Sequence, residues 1–443
     1  MLRCQDSENN AQFYRLRLKD LWFIMHNAQF IIDSSETQNI ASLLVGFDLP
    51  LSKSVRAREL VLDALSGFDV KIEEDNDDLF VLSRALYNSQ FTIHNSQLSD
   101  KSDWSDESDN SQFSILNLRD SGTALRFMTA FCAVSEGEYV LTGSKRLCER
   151  PIKPLVDALC RMGAKIEYVD KEGFAPLRIK GGNLKGGKVS LDASLSSQFV
   201  SALMLIADKV EGGVDIEYEG DVASEAYIRL TEKVIERYRR GERRSEEKDW
   251  SSATVWYAAM AVLRTGRFLL EGLSLDSCQP DRAIVDVFEK LGVRTIGTEM
   301  GVIIEANCDI VDKLVVDCKN MPDAVMYIAV AACVLGVDFE IRGIETLRVK
   351  ESDRIEVLIT EMEKCGFEII HNSQFIIHNL KTTMCDVQYV VQKPLIKTYN
   401  DHRVAMAMAV VGLVREIDIE NPEVVSKSYP GFWEEIRKIK NRK

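Results

Sequence analysis

Six stretches of the chain open on small or polar residues and continue as apolar, helix-length runs: Ser54 to Leu65, Ser121 to Val134, Ser196 to Ala207, Ser251 to Leu263, Pro322 to Leu335 and His402 to Val414. Their starts lie 55 to 80 residues apart, so the sequence divides into six units of similar length. Three units also carry a second helix pattern that stops at a glycine before a strand-like run. Pro151 to Met162 leads into Gly163-Ala164-Lys165-Ile166, Asp281 to Leu291 into Gly292-Val293-Arg294, and Ser352 to Cys365 into Gly366-Phe367-Glu368-Ile369. Glycine at those places accepts the left-handed conformation that closes a helix. The repeat predicts an α/β protein of βαβαββ units, three to a domain, in two similar domains. A length of 443 residues suits that division, because single cores rarely grow much beyond about 250 residues.

The starts of the helices carry the chemistry. Arg348-Val349-Lys350-Glu351-Ser352-Asp353-Arg354 packs five charges into seven residues ahead of a helix whose apolar face is Ile355, Leu358, Ile359 and Met362. A cation in a first helical turn opposes the macrodipole and suggests a bound anion. Lys53-Ser54, with Arg58 one turn on, opens the first apolar helix, and Ser121-Gly122-Thr123, with Arg126, opens the second. Arg146 and Arg150 flank a loop before Pro151, and Ser196-Ser197-Gln198 opens the third helix with donors alone. Tyr399-Asn400-Asp401-His402-Arg403 opens the sixth, and Lys427 follows. Singly, each reads most simply as a cap or a solvated charge. Four cationic helix starts in a chain of net charge -14 instead point to a small polyanionic ligand between two domains. Cations facing each other across such a cleft are expected to repel until an anion lies between them.

The same acidity argues against a nucleic-acid groove or an anionic membrane surface, both of which need a basic face. Ten cysteines without a C-x-x-C pair suggest neither a zinc ribbon nor a disulfide framework, and read as reduced thiols of a cytoplasmic protein. Leu21 to Met25 is too short for a signal core, and the longest apolar stretch, Tyr327 to Val337, is far below spanning length. A short tract recurs without a period, at Asn10-Ala11-Gln12-Phe13, His26 to Phe30, Asn88 to Phe91, His94 to Gln97, Asn110 to Phe113 and His371 to Phe375, and reads as surface sequence, as does the Ser/Asp-rich run Asp100 to Asp109. Four of the five histidines (His26, His94, His371 and His378) lie in or beside these tracts, so no histidine metal cluster is expected. Gly182 to Lys188 imitates a P-loop, but Val189 stands where Ser or Thr must hold magnesium and a strand-like run follows.

From about Leu49 onward these residues, in this order, resemble the enolpyruvyl transferase family, and within it the members acting on shikimate 3-phosphate. The landmarks are Leu49-Pro50-x-Ser52-Lys53-Ser54, Ser121-Gly122-Thr123-Ala124-x-Arg126, Arg146-x-x-Glu149-Arg150-Pro151-Ile152, Ser196-Ser197-Gln198, Met321-Pro322-Asp323-Ala324, Arg348-Val349-Lys350-Glu351 and Asp401-His402-Arg403. The resemblance implies two similar domains, each of three βαβαββ units with parallel helices packed inside, and an active site in the cleft between them. Residues 1–51 and 248–443 would form the domain of the catalytic and phosphoenolpyruvate residues, and 52–247 the shikimate phosphate side. It implies transfer of enolpyruvyl from phosphoenolpyruvate to the 5-hydroxyl of shikimate 3-phosphate with release of phosphate, by a monomer that uses no cofactor and no metal.

By the same resemblance Lys53, Ser54, Arg58, Ser196, Ser197, Gln198, Ser224, Tyr227, Asp323 and Lys350 would hold shikimate phosphate. Phosphoenolpyruvate would lie against Lys53, Gly122, Arg126, Arg146, Gln198, Arg354, Arg403 and Lys427. Asp323 would accept the hydroxyl proton, with Glu351 and Lys350 handling the proton at the methylene carbon. Four positions depart from the family pattern: Leu51, Asp120, Phe127 and Thr346. Asp120 is the departure nearest the reacting groups, and as a carboxylate it is expected either to repel phosphoenolpyruvate or to cap the helix and pair with Arg126 or Arg146. Three other readings differ in class. A non-catalytic relative would bind shikimate phosphate without turnover. A UDP-sugar enolpyruvyl transferase would need a glycine-flanked loop cysteine, which Cys148 is not. An RNA-end-processing relative fits poorly with the acidic charge.

Overall fold

All six apolar stretches are helices, and their first turns show why they begin where they do. They are α1 (Lys53–Leu65), α2 (Gly122–Val134), α3 (Ser197–Ile206), α4 (Trp250–Leu263), α5 (Val325–Leu335, after a 3-10 turn at Pro322–Ala324) and α6 (His402–Val411). The side chains of Ser52, Ser121, Ser196, Asp249 and Asp401 each accept a first-turn N–H, satisfying donors that a helix leaves open. The computed structural model describes residues 44–94, 113–372, 376–379 and 393–440. The Leu21 to Met25 run, the tracts near Asn10, His26 and Asn95, the stretch Asp100 to Asp109, and residues 373–375 of the last tract lie outside them.

The capping energy is testable. Asp249, itself buried, accepts from the backbone N–H of Ser252 at 3.1 Å and from its hydroxyl at 2.7 Å. Asp249→Ala is expected to lower stability by about 1–2 kcal/mol, read as a fall in the urea midpoint at unchanged slope. An unchanged midpoint would mean that the cap does not set the start of α4.

Helices α1 to α3 pack on one another, and so do α4 to α6, each trio forming the centre of its own hydrophobic core. Three four-stranded sheets share one topology. In the first, Ser114–Asn117 runs parallel to Gly137–Thr142, which is antiparallel to Leu177–Gly181, itself antiparallel to Lys165–Tyr168. The second repeats this order with Lys313–Asp317, Asp338–Arg342, Ile377–Asn379 and Ile369–His371. The third does so with Leu44–Asp48, Arg267–Glu271, Gly301–Ile310 and Leu291–Thr298. The anticipated glycine stops hold: Gly163, Gly292 and Gly366 have φ of +97°, +79° and +79°.

Among the described residues the full βαβαββ unit is confined to these three sheets. Two other units reduce to parallel pairs, Lys185–Asp192 with Glu211–Glu219 and Leu395–Ile396 with Asp418–Ile419. The first unit shows the helices Lys53–Leu65 and Asp77–His94 without a strand of its own. The strand before it, Leu44–Asp48, is used by the other half instead: Phe47 stacks on Trp256 at 4.0 Å, and Val45, Phe47 and Leu49 share the core built by residues 250–436. The second core draws on residues 55–235. The chain therefore crosses between halves twice, at Pro50–Ser52 and Glu247–Asp249. Ser52 N–H donates to Glu247 O at 2.7 Å there, and Asp249 N–H to Pro50 O at 3.0 Å.

The tract Asn88 to Phe91 lies within the helix Asp77–His94, where Asn88 is exposed as expected but Ser89 is not. Ser89 is fully buried there, and its hydroxyl is satisfied by the Ala85 carbonyl at 2.7 Å. The P-loop imitation is, as its sequence suggested, the start of a strand, Lys185–Asp192.

Candidate active site

One cavity is lined by Lys53, Gly122, Ser197, Pro322 and His402, the opening residues of α1, α2, α3, the turn before α5, and α6. The start of α4 is tied to the same place, since Arg403 donates to Ser251 O at 3.3 Å. All six inner helices thus direct their N-termini at one cleft, and their dipoles favour an anion there.

The two walls of the cleft hold their cations differently. On the wall built by α1 to α3, Arg58 and Arg126 are buried and face no described carboxylate within ion-pair distance. Arg58 donates to Thr231 Oγ1 at 2.7 Å, Ser54 O at 2.6 Å and Ser201 Oγ at 3.2 Å, all neutral acceptors, and its guanidinium sits 5.5 Å over the Phe127 ring. Burial pushes that guanidinium down to about 10. Arg126 donates to the Gly122 and Pro151 carbonyls at 3.0 and 3.1 Å, leaving Nε without a partner. Burial, and then the adjacent Arg150, hold it well below the usual arginine range. A side chain at Gly122 would collide with the guanidiniums of both Arg126 and Arg150, so glycine is what lets two like charges converge. Two adjacent buried cations without a described counterion are costly by themselves and suited to a dianion. Lys53 differs, pairing with Asp78 at 2.9 Å.

On the opposite wall every cation is matched. Arg354 reaches Asp401 at 2.7 Å, Glu351 at 2.7 Å and Asp323 at 2.9 Å. Burial alone would lower its pKa, but those three carboxylates outweigh it and raise it. Arg403 lies 3.1 Å and Lys350 3.3 Å from Asp323, and Lys427 stands 4.0 Å from Glu351. Burial would raise the Asp323 carboxyl, yet Arg403, Lys350 and Arg354 hold it well below the usual range. Glu351 is likewise held low against burial by Arg354, Lys427 and Arg150. The expected repulsion between walls is therefore quenched by carboxylates, and the halves are in contact. Ser224 Oγ donates to Lys319 O at 2.9 Å, Tyr227 OH to Asp281 at 2.9 Å, and Ser426 Oγ to Asp77 at 2.8 Å.

Of the residues singled out in the sequence, Lys53, Ser54, Arg58, Gly122, Arg126, Ser196, Ser197 and Gln198 line the main cavity from one wall. Ser224 and Tyr227 join them, Ser224 in a left-handed conformation (φ +52°) that is strained for a serine and typical of binding sites. Asp323, Lys350, Glu351 and Arg354 face them, with Arg403 bonded behind Asp323. Lys427 and Arg146 line an adjoining cavity instead. Asp120 is there too. It neither caps α2, which Ser121 does, nor pairs with Arg126 or Arg146; it accepts a short hydrogen bond from Ser144. Its carboxylate is thus held by Ser144 rather than by either arginine.

Three residues were not assigned to the site from sequence. Arg150 lines both cavities, and its Nε lacks a partner; the Arg146-x-x-Glu149-Arg150 landmark offered both arginines, but nothing local said which one turns inward. His402 is buried with no hydrogen-bond partner for either ring nitrogen among the described residues, and burial, then Lys53 and Arg403, hold it well below the usual range, so it is neutral. Asp281, pushed up to about 6 by burial and Asp323, bridges Ser251 and Tyr227.

The architecture has known counterparts. Two solved structures of EPSP synthase from Acinetobacter baumannii align over 89% of this chain, at TM-scores of 0.63 and 0.62 and 21% and 20% identity, covering 95% and 96% of those chains. Fold and cleft define the class as a two-domain enolpyruvyl transferase. The family model described as EPSP synthase (3-phosphoshikimate 1-carboxyvinyltransferase) matches residues 43–241 and 237–436. Relatives named 3-phosphoshikimate 1-carboxyvinyltransferase include one from Bacteroides fragilis, 36% identical over 413 residues, and one from Pasteurella multocida, 34% identical over 427. Each alignment spans 88% of this chain and 94% of the relative. The chain belongs to the EPSP synthase family.

Proposed function

We propose that the cleft transfers the enolpyruvyl group of phosphoenolpyruvate to the 5-hydroxyl of shikimate 3-phosphate and releases phosphate. The observation that carries this reading is the asymmetry of the walls: unpaired guanidiniums on one, ion-paired carboxylates on the other. Arg126 and Arg150, converging over Gly122, suit the carboxylate and phosphate of phosphoenolpyruvate, with Lys53, Gln198, Arg354, Arg403 and Lys427 around them. Arg58, Ser54, the helix start at Ser196, Ser197 and Gln198, and Ser224 and Tyr227 suit shikimate phosphate.

Asp323 accepts the proton of the attacking hydroxyl as its oxygen bonds to the enol carbon, and Lys350 with Glu351 deliver a proton to the methylene carbon. The same groups work in reverse as phosphate leaves the tetrahedral ketal and the double bond reforms. Two anionic substrates offset the cations that hold Asp323 low, so its basicity rises when both are in place. The clustered cations stabilise charge developing on the ketal oxygens. We assign residues 1–51 and 248–443 to one domain and 52–247 to the other, a division that the two cores support for the described residues, 1–43 lying outside them, and read the protein as a cytoplasmic monomer. Among the described residues no helix is long and apolar enough to cross a membrane.

Purified protein incubated with both substrates should release phosphate, should need both, and should keep its rate in excess chelator. Folded protein that binds shikimate phosphate yet releases none would replace this reading with that of a non-catalytic relative.

A further inference from the structure

Asp281 stands on a 3-10 turn, Pro280–Ala283, whose place is set by the residue before it. The Gln279 amide donates to Glu247 Oε1 at 2.9 Å and Lys248 O at 2.7 Å and accepts from the Trp250 N–H at 3.1 Å. The turn is thereby pinned to one crossing between the halves and to the start of α4. Asp281 itself is 2% exposed. Its Oδ2 accepts from two sides: from Tyr227 OH at 2.9 Å, which reaches over from the α1–α3 half, and from Ser251 Oγ, a short bond in the first turn of α4. Oδ1 has no hydrogen-bond partner among the described residues. The Ser251 carbonyl in turn accepts from Arg403 at 3.3 Å, and Arg403 lies 3.1 Å from Asp323. Burial would lower the Arg403 guanidinium, yet Asp323, Tyr327 and Asp281 hold it well above the usual range.

We propose that Asp281 is a positioning residue for the transfer reaction, holding Tyr227 and Arg403 in register from one point between the two substrate sides. This rests on the reaction proposed above. Asp281 is not among the residues lining either cavity, so it acts through its neighbours and not by contact with a substrate. A buried carboxylate is costly unless hydrogen bonds and a cation offset it. Here the cation and one of the hydroxyls belong to Arg403 and Tyr227, both assigned to substrate, and the other hydroxyl belongs to the helix start that Arg403 leans on. Tyr227 turns on two side-chain bonds, and a hydrogen bond at its hydroxyl fixes both, so the ring is set before a substrate arrives.

Variants separate the two arms. Tyr227→Phe removes the bond between the halves and should weaken shikimate 3-phosphate binding about tenfold, the scale of one hydrogen bond to a charged group, with the phosphoenolpyruvate KM unmoved. Ser251→Ala should do the reverse, raising the phosphoenolpyruvate KM and sparing shikimate phosphate affinity. Asp281→Ala should show both shifts, and adding Tyr227→Phe to it should weaken shikimate phosphate no further. Asp281→Asn keeps an acceptor without the charge, and should recover shikimate phosphate affinity but not the phosphoenolpyruvate KM. Shikimate phosphate affinity is read by calorimetry in the absence of phosphoenolpyruvate, so a protein that binds this ligand and releases no phosphate fails the transfer reading while the comparison of Asp281 with Tyr227 still decides the bond between the halves. Asp281→Ala shifting only one of the two constants, or adding its full effect to that of Tyr227→Phe, would overturn the proposal. If the alanine variant does not fold, matching shifts in Tyr227→Phe and Ser251→Ala would overturn it equally.

Discussion

Asp323→Ala is expected to cut kcat by roughly 10² or more while shikimate phosphate still binds, the usual scale for a lost general base. The expectation comes from its setting: a half-buried carboxylate kept ionised by Arg403, Lys350 and Arg354, on the wall facing the shikimate phosphate side chains. Asp323→Asn keeps the shape and should lose nearly as much rate, because an amide cannot take the proton. Stability carries a second signature with a definite sign. A carboxyl whose folded pKa is depressed contributes stability above its unfolded value, here taken as 3.8, and loses it as pH falls through the folded pKa. Both variants should thus be less stable than the parent at neutral pH, with the deficit shrinking in acid. A kcat that stays at the parent level would take Asp323 out of the mechanism.

The second large effect is expected at Arg126. Its guanidinium is buried, has no described counterion and lies against Arg150, so it burdens the ligand-free fold and is offset by an arriving anion. Replacing it with methionine removes that burden together with the binding interaction. Two charge-assisted hydrogen bonds at about 1.5 kcal/mol each correspond to roughly a hundredfold, so Arg126→Met should raise the KM for phosphoenolpyruvate by about 10². The ligand-free variant should meanwhile unfold at the same or a higher urea concentration than the parent. A variant that is destabilised, with its KM unmoved, would show Arg126 to be a structural residue.

The sequence disclosed the elements that local chemistry decides. Caps, glycine stops and apolar runs fix where α1 to α6 begin and end, because a first turn needs acceptors for its free N–H groups whatever the rest of the chain does. Pairing across the chain was not readable in that way. In its own residues Leu44–Asp48 resembles any short apolar strand; its place in the far half was implied by the family resemblance alone, and the packing of Phe47 against Trp256 and Phe268 is what secures it there. The site divided along the same line. Arg126 and Arg354 look alike in sequence, each a cation within about one turn of a helix start, yet one meets no described carboxylate and the other meets three. Arg146 and Arg150, four residues apart, would share a face on a continuous helix. The turn ends at Cys148 instead, which sends one arginine across to the opposite loop and the other into the main cavity.

Among the described residues Leu44–Asp48 lies at the edge of its sheet with one neighbour, Arg267–Glu271, which follows about 220 residues later. At a synthesis rate of about 5–20 residues per second the strand spends roughly 10–40 s outside the ribosome before that neighbour is made. The half built on residues 55–235 can assemble its core in the interval, while the strand displays unpaired backbone and the side chains of Val45 and Phe47. Closing so long a loop adds only a slowly growing entropy cost, so the delay is one of time more than of equilibrium. Maturation in the cell is thus paced by translation. The nascent chain is most exposed to stray pairing at this one strand, and slowing elongation between the two crossings lengthens that exposure without altering the finished fold.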